Sequence, residues 1–172
     1  MESWWSIEPF DWQQIVIALF CGGIIGLERQ LRGKPVGIRT ASLIVLGTHM
    51  FIVASTSLNN EMTDTSRIIG QVVTGVGFLG AGVMLAKDGM VVGVTSAATI
   101  WALAAIGVCL SVLDPLVAVK LSVVVVAILW GVDVMEAYSS ALSRGVYSRY
   151  YELKTRLRRK HMPTQEAVPH KD

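Results

Sequence analysis

The stretch that most constrains this chain is Ser66–Gly107, SRIIGQVVTGVGFLGAGVMLAKDGMVVGVTSAATIWALAAIG. Apart from Arg67 and the break Lys87-Asp88-Gly89 it carries no charge. Its first half places Gly70, Gly75, Gly77, Gly80 and Gly82 within one helix length. In water a helical glycine costs about 1 kcal/mol relative to alanine, whereas in lipid it lets two backbones approach closely. At about 100° per residue, Ser66, Gly70, Thr74, Gly77 and Ala81 share one sector, and Gly75, Gly82 and Ala86 fall opposite. Bulky Ile69, Val72, Val73, Val76 and Val83 lie between. This two-sided pattern is expected of a central, protein-buried helix that neighbours grip from both sides.

Composition agrees with a bilayer. Hydrophobic residues make up 52% and charged residues 16% of the 172, with a mean hydropathy of +0.53, too apolar for an ordinary soluble domain. Several uncharged runs approach the roughly 20 helical residues that cross a membrane. The expected fold is all-α, a polytopic bundle of five transmembrane helices at about 12–27, 38–58, 67–86, 94–110 and 116–132, within a membrane domain of residues 1–135. MESWWSIEP has no basic residue ahead of the first apolar run, so that run is expected to stay as an anchor. Pro35 and Gly37 interrupt the chain after the first span, and Asp114-Pro115 after the fourth. Asp64, Thr65 or Ser66 can cap the third helix, and Met90–Val94 reads as a partly unwound entry to the fourth. Cys21 and Cys109 fall in separate spans and read as buried structural thiols.

Charge sets the expected orientation. With the C-terminus inside, Arg29, Arg32, Lys34, Arg39, Lys87 and every basic residue after Lys120 become cytoplasmic, thirteen of the 15 Lys and Arg. Only Arg67 and Lys120 stay outside, so the N-terminus is expected outside. Residues 136–172 form a basic cytoplasmic tail. Its amphipathic part carries Arg156, Arg158, Arg159 and Lys160 and is expected to bind anionic lipid rather than nucleic acid. Its end, from His161, is expected to be disordered.

No common catalytic constellation is present, so no enzymatic activity is expected. The GxGxxG formed by Gly75, Gly77 and Gly80 lies in an apolar span and lacks the strand and acidic residue of a dinucleotide site. Ionisable residues at span ends remain as candidates. Glu28 sits among Arg29, Arg32, Lys34 and Arg39, and its simplest pairing is with Arg39 across the turn. Asp64 and Arg67 read as a cap with a salt bridge, with Gln71 one turn deeper. His49, near the middle of its span, reads as a neutral histidine hydrogen-bonded to a neighbouring helix. Thr95, Ser96 and Thr99 open the fourth helix, where hydroxyls cap or bond across helices, and Trp101 is expected to pack. The Gly22–Gly26 face of the first helix is left for a second copy of the chain, giving a homodimer. Acids drawn from Asp11, Glu61, Asp64 and Asp114 offer a weak external Mg2+ site, with Asp64 as the metal ligand to test.

Three stretches, GLERQLRGKPVGIRTASLIVLG (Gly26–Gly47), DTSRIIGQVVTGVGFLGAGVML (Asp64–Leu85) and GVTSAATIWALAAIG (Gly93–Gly107), resemble the MgtC/SapB family of bacterial inner-membrane proteins. Together with the spans between them they cover nearly the whole membrane domain. The resemblance implies a multi-pass inner-membrane protein tied to growth under magnesium limitation and to virulence. Such a protein would act by modulating membrane partners such as the F-type ATP synthase, with no cofactor. It singles out Glu28, Arg29, Arg32, Gly33, Arg39, Asp64, Arg67, Gln71, Gly77 to Gly82, and Thr95 to Trp101. The chain reads as a short form without the ACT-like C-terminal domain of longer members. A small ion or solute transporter with its path along the third and fourth helices, and a purely structural assembly partner, stand as alternatives.

Overall fold

The computed structural model describes residues 6–57, 64–87 and 90–138. Five helices follow in order: α1 (Trp12–Leu31), α2 (Ile38–Ser57), α3 (Thr65–Gly82), α4 (Val94–Val112) and α5 (Pro115–Tyr138), with a small hairpin, β1 (Leu85–Lys87) and β2 (Met90–Val92), between α3 and α4. α5 runs on from Gly131 into a second compact unit, which after Tyr138 lies outside the described residues. The lipid-binding tail expected at Arg156, Arg158, Arg159 and Lys160 lies there too.

Local chemistry sets the helix starts. Asp11, Asp64 and Asp114 each accept a hydrogen bond from the backbone N–H two residues on, at 2.8, 2.9 and 2.8 Å. Each thereby satisfies a donor that the first turn leaves unpaired. α1 continues through Glu28–Leu31, four good helix formers beyond the apolar span, and stops where Gly33 adopts φ 63° ahead of Pro35.

The third helix departs from expectation. It ends at Gly82 rather than Ala86, with Val83 and Met84 donating to Gly80 and Ala81 in a tightening last turn. Leu85, Ala86 and Lys87 then pair antiparallel with Val92, Val91 and Met90. Gly93 is forced by this geometry: its φ is 90°, and a Cβ there would strike the Val83 carbonyl.

α2 and α4 form the middle of the bundle. α1 and α4 both pack on α2, and α3 lies against α4 and part of α2. The core is built from Ala18, Cys21 and Ile25 on α1, Ala41, Val45 and Ile52 on α2, Ile100, Leu103, Ile106 and Leu110 on α4, and Ala118 on α5. Close approach comes from glycines other than those of α3. A Cβ on Gly22 would lie 2.5 Å from the Ser42 Cα, one on Gly26 2.5 Å from the Ile38 Cα, and one on Gly107 2.7 Å from the Val45 carbonyl oxygen. A Cβ on Gly70, Gly75, Gly77 or Gly82 meets nothing within 4 Å, and one on Gly80 makes ordinary contact with Ala97 at 3.7 Å. α3 is therefore not the buried centre of the chain, since only Val76 and Gly80 are buried along it. The Gly22–Gly26 face is likewise not left over for a neighbour, because α2 already occupies it.

The outward surface is apolar. Val16 and Phe20 on α1, Leu43 and Phe51 on α2, Phe78 on α3, and Val123, Ile128 and Trp130 on α5 are all exposed. A soluble monomer rarely shows so much contiguous apolar area. α1, α2, α4 and residues Pro115–Met135 of α5 are each long and apolar enough to cross a bilayer. α3, with 18 residues, is the shortest of the described helices and is not among the four that are long and apolar enough to cross a bilayer.

Candidate functional site: a buried charged cluster between α1 and α4

The last turns of α1, the α1–α2 turn and the first turns of α4 enclose the two carboxylate and guanidinium groups that are buried among the described residues. Arg29 is 4% exposed and Glu28 9%. The Arg29 Nη2 donates to Ser96 Oγ at 2.8 Å, tying α1 to α4 across 67 residues of sequence. Its Nε donates to the Pro35 carbonyl at 3.4 Å. Next to that carbonyl, Val36 is buried with φ 70°. That conformation is rare for a β-branched side chain, and such outliers gather at sites that the surrounding structure over-determines. Two features offset the cost of burying Arg29: the carbonyl end of α1, which favours a cation, and charge-assisted hydrogen bonds.

Glu28 pairs with Arg32, one turn on, Nε to Oε1 at 2.6 Å. Neither Glu28 oxygen is met at hydrogen-bonding angles, although both are buried. The expected Glu28–Arg39 pair is not formed. α1 stays helical past Leu27, so Arg32 reaches the carboxylate first, and Arg39 opens α2 on its exposed side. Thr99 is buried beside Ser96, but its hydroxyl donates to the Thr95 carbonyl of its own helix at 2.8 Å. Thr95 is exposed, as is Trp101 at 57%, so Trp101 does not pack in the core.

The remaining candidates lie apart from this cluster. Asp64 is the N-cap of α3 and is fully exposed. Its hydrogen bonds from Ser66 hold its carboxyl below the usual value, and Arg67 adds a smaller electrostatic pull. Gln71 lines a groove between α2 and α3. Gly77, Gly80 and Ala81 line a smaller cleft of about 300 Å³ against α4. The external acids do not converge. Asp11, Asp64 and Asp114 each cap their own helix, Glu61 lies outside the described residues, and no group of three metal-ligating side chains forms among the described residues.

His49 is fully buried, with Nδ1 2.9 Å from Ser111 Oγ on α4. The Ser111 hydroxyl is already donating to the Gly107 carbonyl, so the proton between them belongs to Nδ1 and the neutral ring leaves Nε2 bare. That Nε2 is buried without a partner among the described residues. The cross-helix bond is the one expected of this histidine. Sequence reasoning missed Gln30, whose Oε1 accepts from the Ile38 N–H at 3.4 Å and steadies the α1–α2 turn. It also missed the contact of the Cys21 thiol with Ser122 on α5.

Four long apolar helices, an outward apolar surface and a buried ion cluster at a helix end define a polytopic α-helical membrane protein. Residues 15–138 match the MgtC family, and the chain belongs to that family. It is 46% identical over 101 residues to YhiD of Escherichia coli K12, described as a proposed magnesium transporter, a match covering 55% of this chain and 47% of that protein. It is 42% identical over 91 residues to the protein MgtC of Brucella abortus strain 2308, covering 53% and 38%. An uncharacterised Haemophilus influenzae protein is 40% identical over 104 residues, covering 55% and 44%. The matched region thus spans about half or less of each of these relatives. No solved structure matches.

Proposed function

We propose that this multi-pass protein is a non-enzymatic component of the bacterial inner membrane that modulates a membrane-protein partner during magnesium limitation and host-associated stress. With α3 as a fifth crossing, its termini lie on opposite sides, the N-terminus outside. Family membership supports the tie to magnesium, and the charge split supports the orientation. The observation that most favours modulation over transport is the α3–α4 cleft, where the rival path would run. Among the described residues its lining is Val76, Gly77, Gly80, Ala81, Met84, Val94, Ala97, Ala98 and Trp101, without a side-chain oxygen. A dehydrating Mg2+ needs oxygen ligands, and the described lining supplies none from side chains. The F-type ATP synthase is the partner that the family resemblance names, and the proposed homodimer uses a surface other than the Gly22–Gly26 face, which α2 occupies.

Two measurements test this. Purified protein in proteoliposomes should give no Mg2+ flux above protein-free vesicles, and purification from magnesium-starved cells in mild detergent should retain one membrane protein in fixed ratio. Flux from the pure protein would refute modulation in favour of transport. Reporter fusions after Leu58 and after Val132 test the orientation: a cytoplasmic reporter active after Leu58 or inactive after Val132 would overturn it.

A further inference from the structure

Between α2 and α3 lies a groove of about 690 Å³ that the charged cluster does not use. It runs along α2 from Arg39 to Ser55, about 24 Å of helix. Its walls are mostly apolar, with Leu43, Phe51, Val72 and Leu79 among them and Thr40, Thr48, Ser55 and Gln71 as the polar exceptions, and Gly47 and Gly75 hollow it. Among the described residues, Arg39 is the only charged one in its lining. It is exposed, and among the described residues no carboxylate pairs with it, since Glu28 is held by Arg32. A cation in the first turn of a helix is also opposed by the helix dipole, so an anion bound there relieves an unfavourable arrangement.

We propose that this groove binds one anionic phospholipid, with its phosphate at Arg39 and an acyl chain lying along α2 and α3 past Gly47 and Gly75. Charge favours a lipid over a helix of a second copy: the cation in the lining, Arg39, sits at one end of the groove, where a headgroup would meet it, and the rest of the described lining is uncharged. A neutral acyl chain suits the walls, and a single negative headgroup suits the single cation at one end. The site is separate from the basic tail, and it stands whether or not the protein modulates a partner.

The test uses the full chain in mild detergent, titrated with phosphatidylglycerol and with phosphatidylcholine of the same acyl chains, and read by native mass spectrometry. The parent is expected to retain one phosphatidylglycerol in preference to phosphatidylcholine. Arg39→Gln should weaken phosphatidylglycerol about tenfold, the loss of one charge-assisted contact, and leave phosphatidylcholine unchanged. Gly75→Leu, where an added Cβ meets nothing within 4 Å, should fill the groove and abolish the preference. Gly70→Leu, equally open but outside the groove lining, should keep it. Unchanged phosphatidylglycerol retention in Gly75→Leu overturns the proposal. So does a dimer that Gly75→Leu splits while lipid retention stays the same, which would make the groove a protein interface.

Discussion

The α1–α2 seam offers the sharpest quantitative prediction. A methyl on Gly26 would sit 2.5 Å from the Ile38 Cα, 2.7 Å from its nitrogen and 2.9 Å from the Ala41 Cβ. Two of those three atoms are backbone, so no side-chain rotation relieves the overlap. Restoring ordinary contact requires α1 and α2 to part by about 1 Å, and a gap of that size forfeits up to half of the dispersion well of each contact along the seam. Overpacking of this kind costs about 3 kcal/mol. The better helix propensity of alanine returns about 1 kcal/mol, so Gly26→Ala should lose about 2 kcal/mol net. For a chain of this length that is about 5 °C in apparent melting temperature. Gly23→Ala, three residues away and open within 4 Å, is the control and should lose nothing. Both are measured by thermal denaturation in mild detergent, followed by circular dichroism and by loss of the monodisperse peak. If Gly26→Ala melts with Gly23→Ala, the close approach of the two helices is wrong.

Ser96→Ala should cost about 1–3 kcal/mol, because it strands a guanidinium donor of the buried Arg29. Ser96→Thr, which keeps the hydroxyl, should cost less in the same melting assay. The depressed carboxyl of Asp64 makes its cap stabilising above its usual value of 3.8 and progressively lost as pH falls below it. Melting of the parent should therefore be flat from pH 7 to about pH 5 and fall further towards pH 3 than that of Asp64→Asn, which caps at every pH. Leu103→Ala, at a fully buried site on α4, should lose about 2–5 kcal/mol. Trp101→Ala, two residues before it and half-exposed, should lose far less in detergent, and equal losses would contradict the placement of α4.

Glu28 illustrates where the sequence stopped being legible. The span reading ended α1 at Leu27, where charge begins, and left Glu28 to reach across a turn for Arg39. A helix does not end because its hydrophobicity does: Glu28–Leu31 are good helix formers, so Arg32 falls one turn away on the same face. The end of α3 was legible but misread. Lys87-Asp88-Gly89 carries a hairpin signal in Asp-Gly, flanked by strand-favouring Val91 and Val92, and the hairpin begins soon after Gly82. The Arg29–Ser96 bond joins residues 67 apart, and nothing in local spacing points from one to the other.

The apolar helical spans, a cap for α3 among Asp64, Thr65 and Ser66, and the cross-helix hydrogen bond expected of a histidine placed mid-span were legible in the sequence. These follow from propensity, capping and the cost of unpaired polar groups in an apolar medium, which act over a few residues. Which glycine face is used depends on how the helices pack. Gly22 and Gly26 on α1 and Gly70 and Gly77 on α3 present comparable small faces on a helical wheel, yet α2 fills the first and, among the described residues, no neighbour fills the second. A wheel shows where a helix can be approached closely; the path of the chain through the bundle selects which helix approaches it.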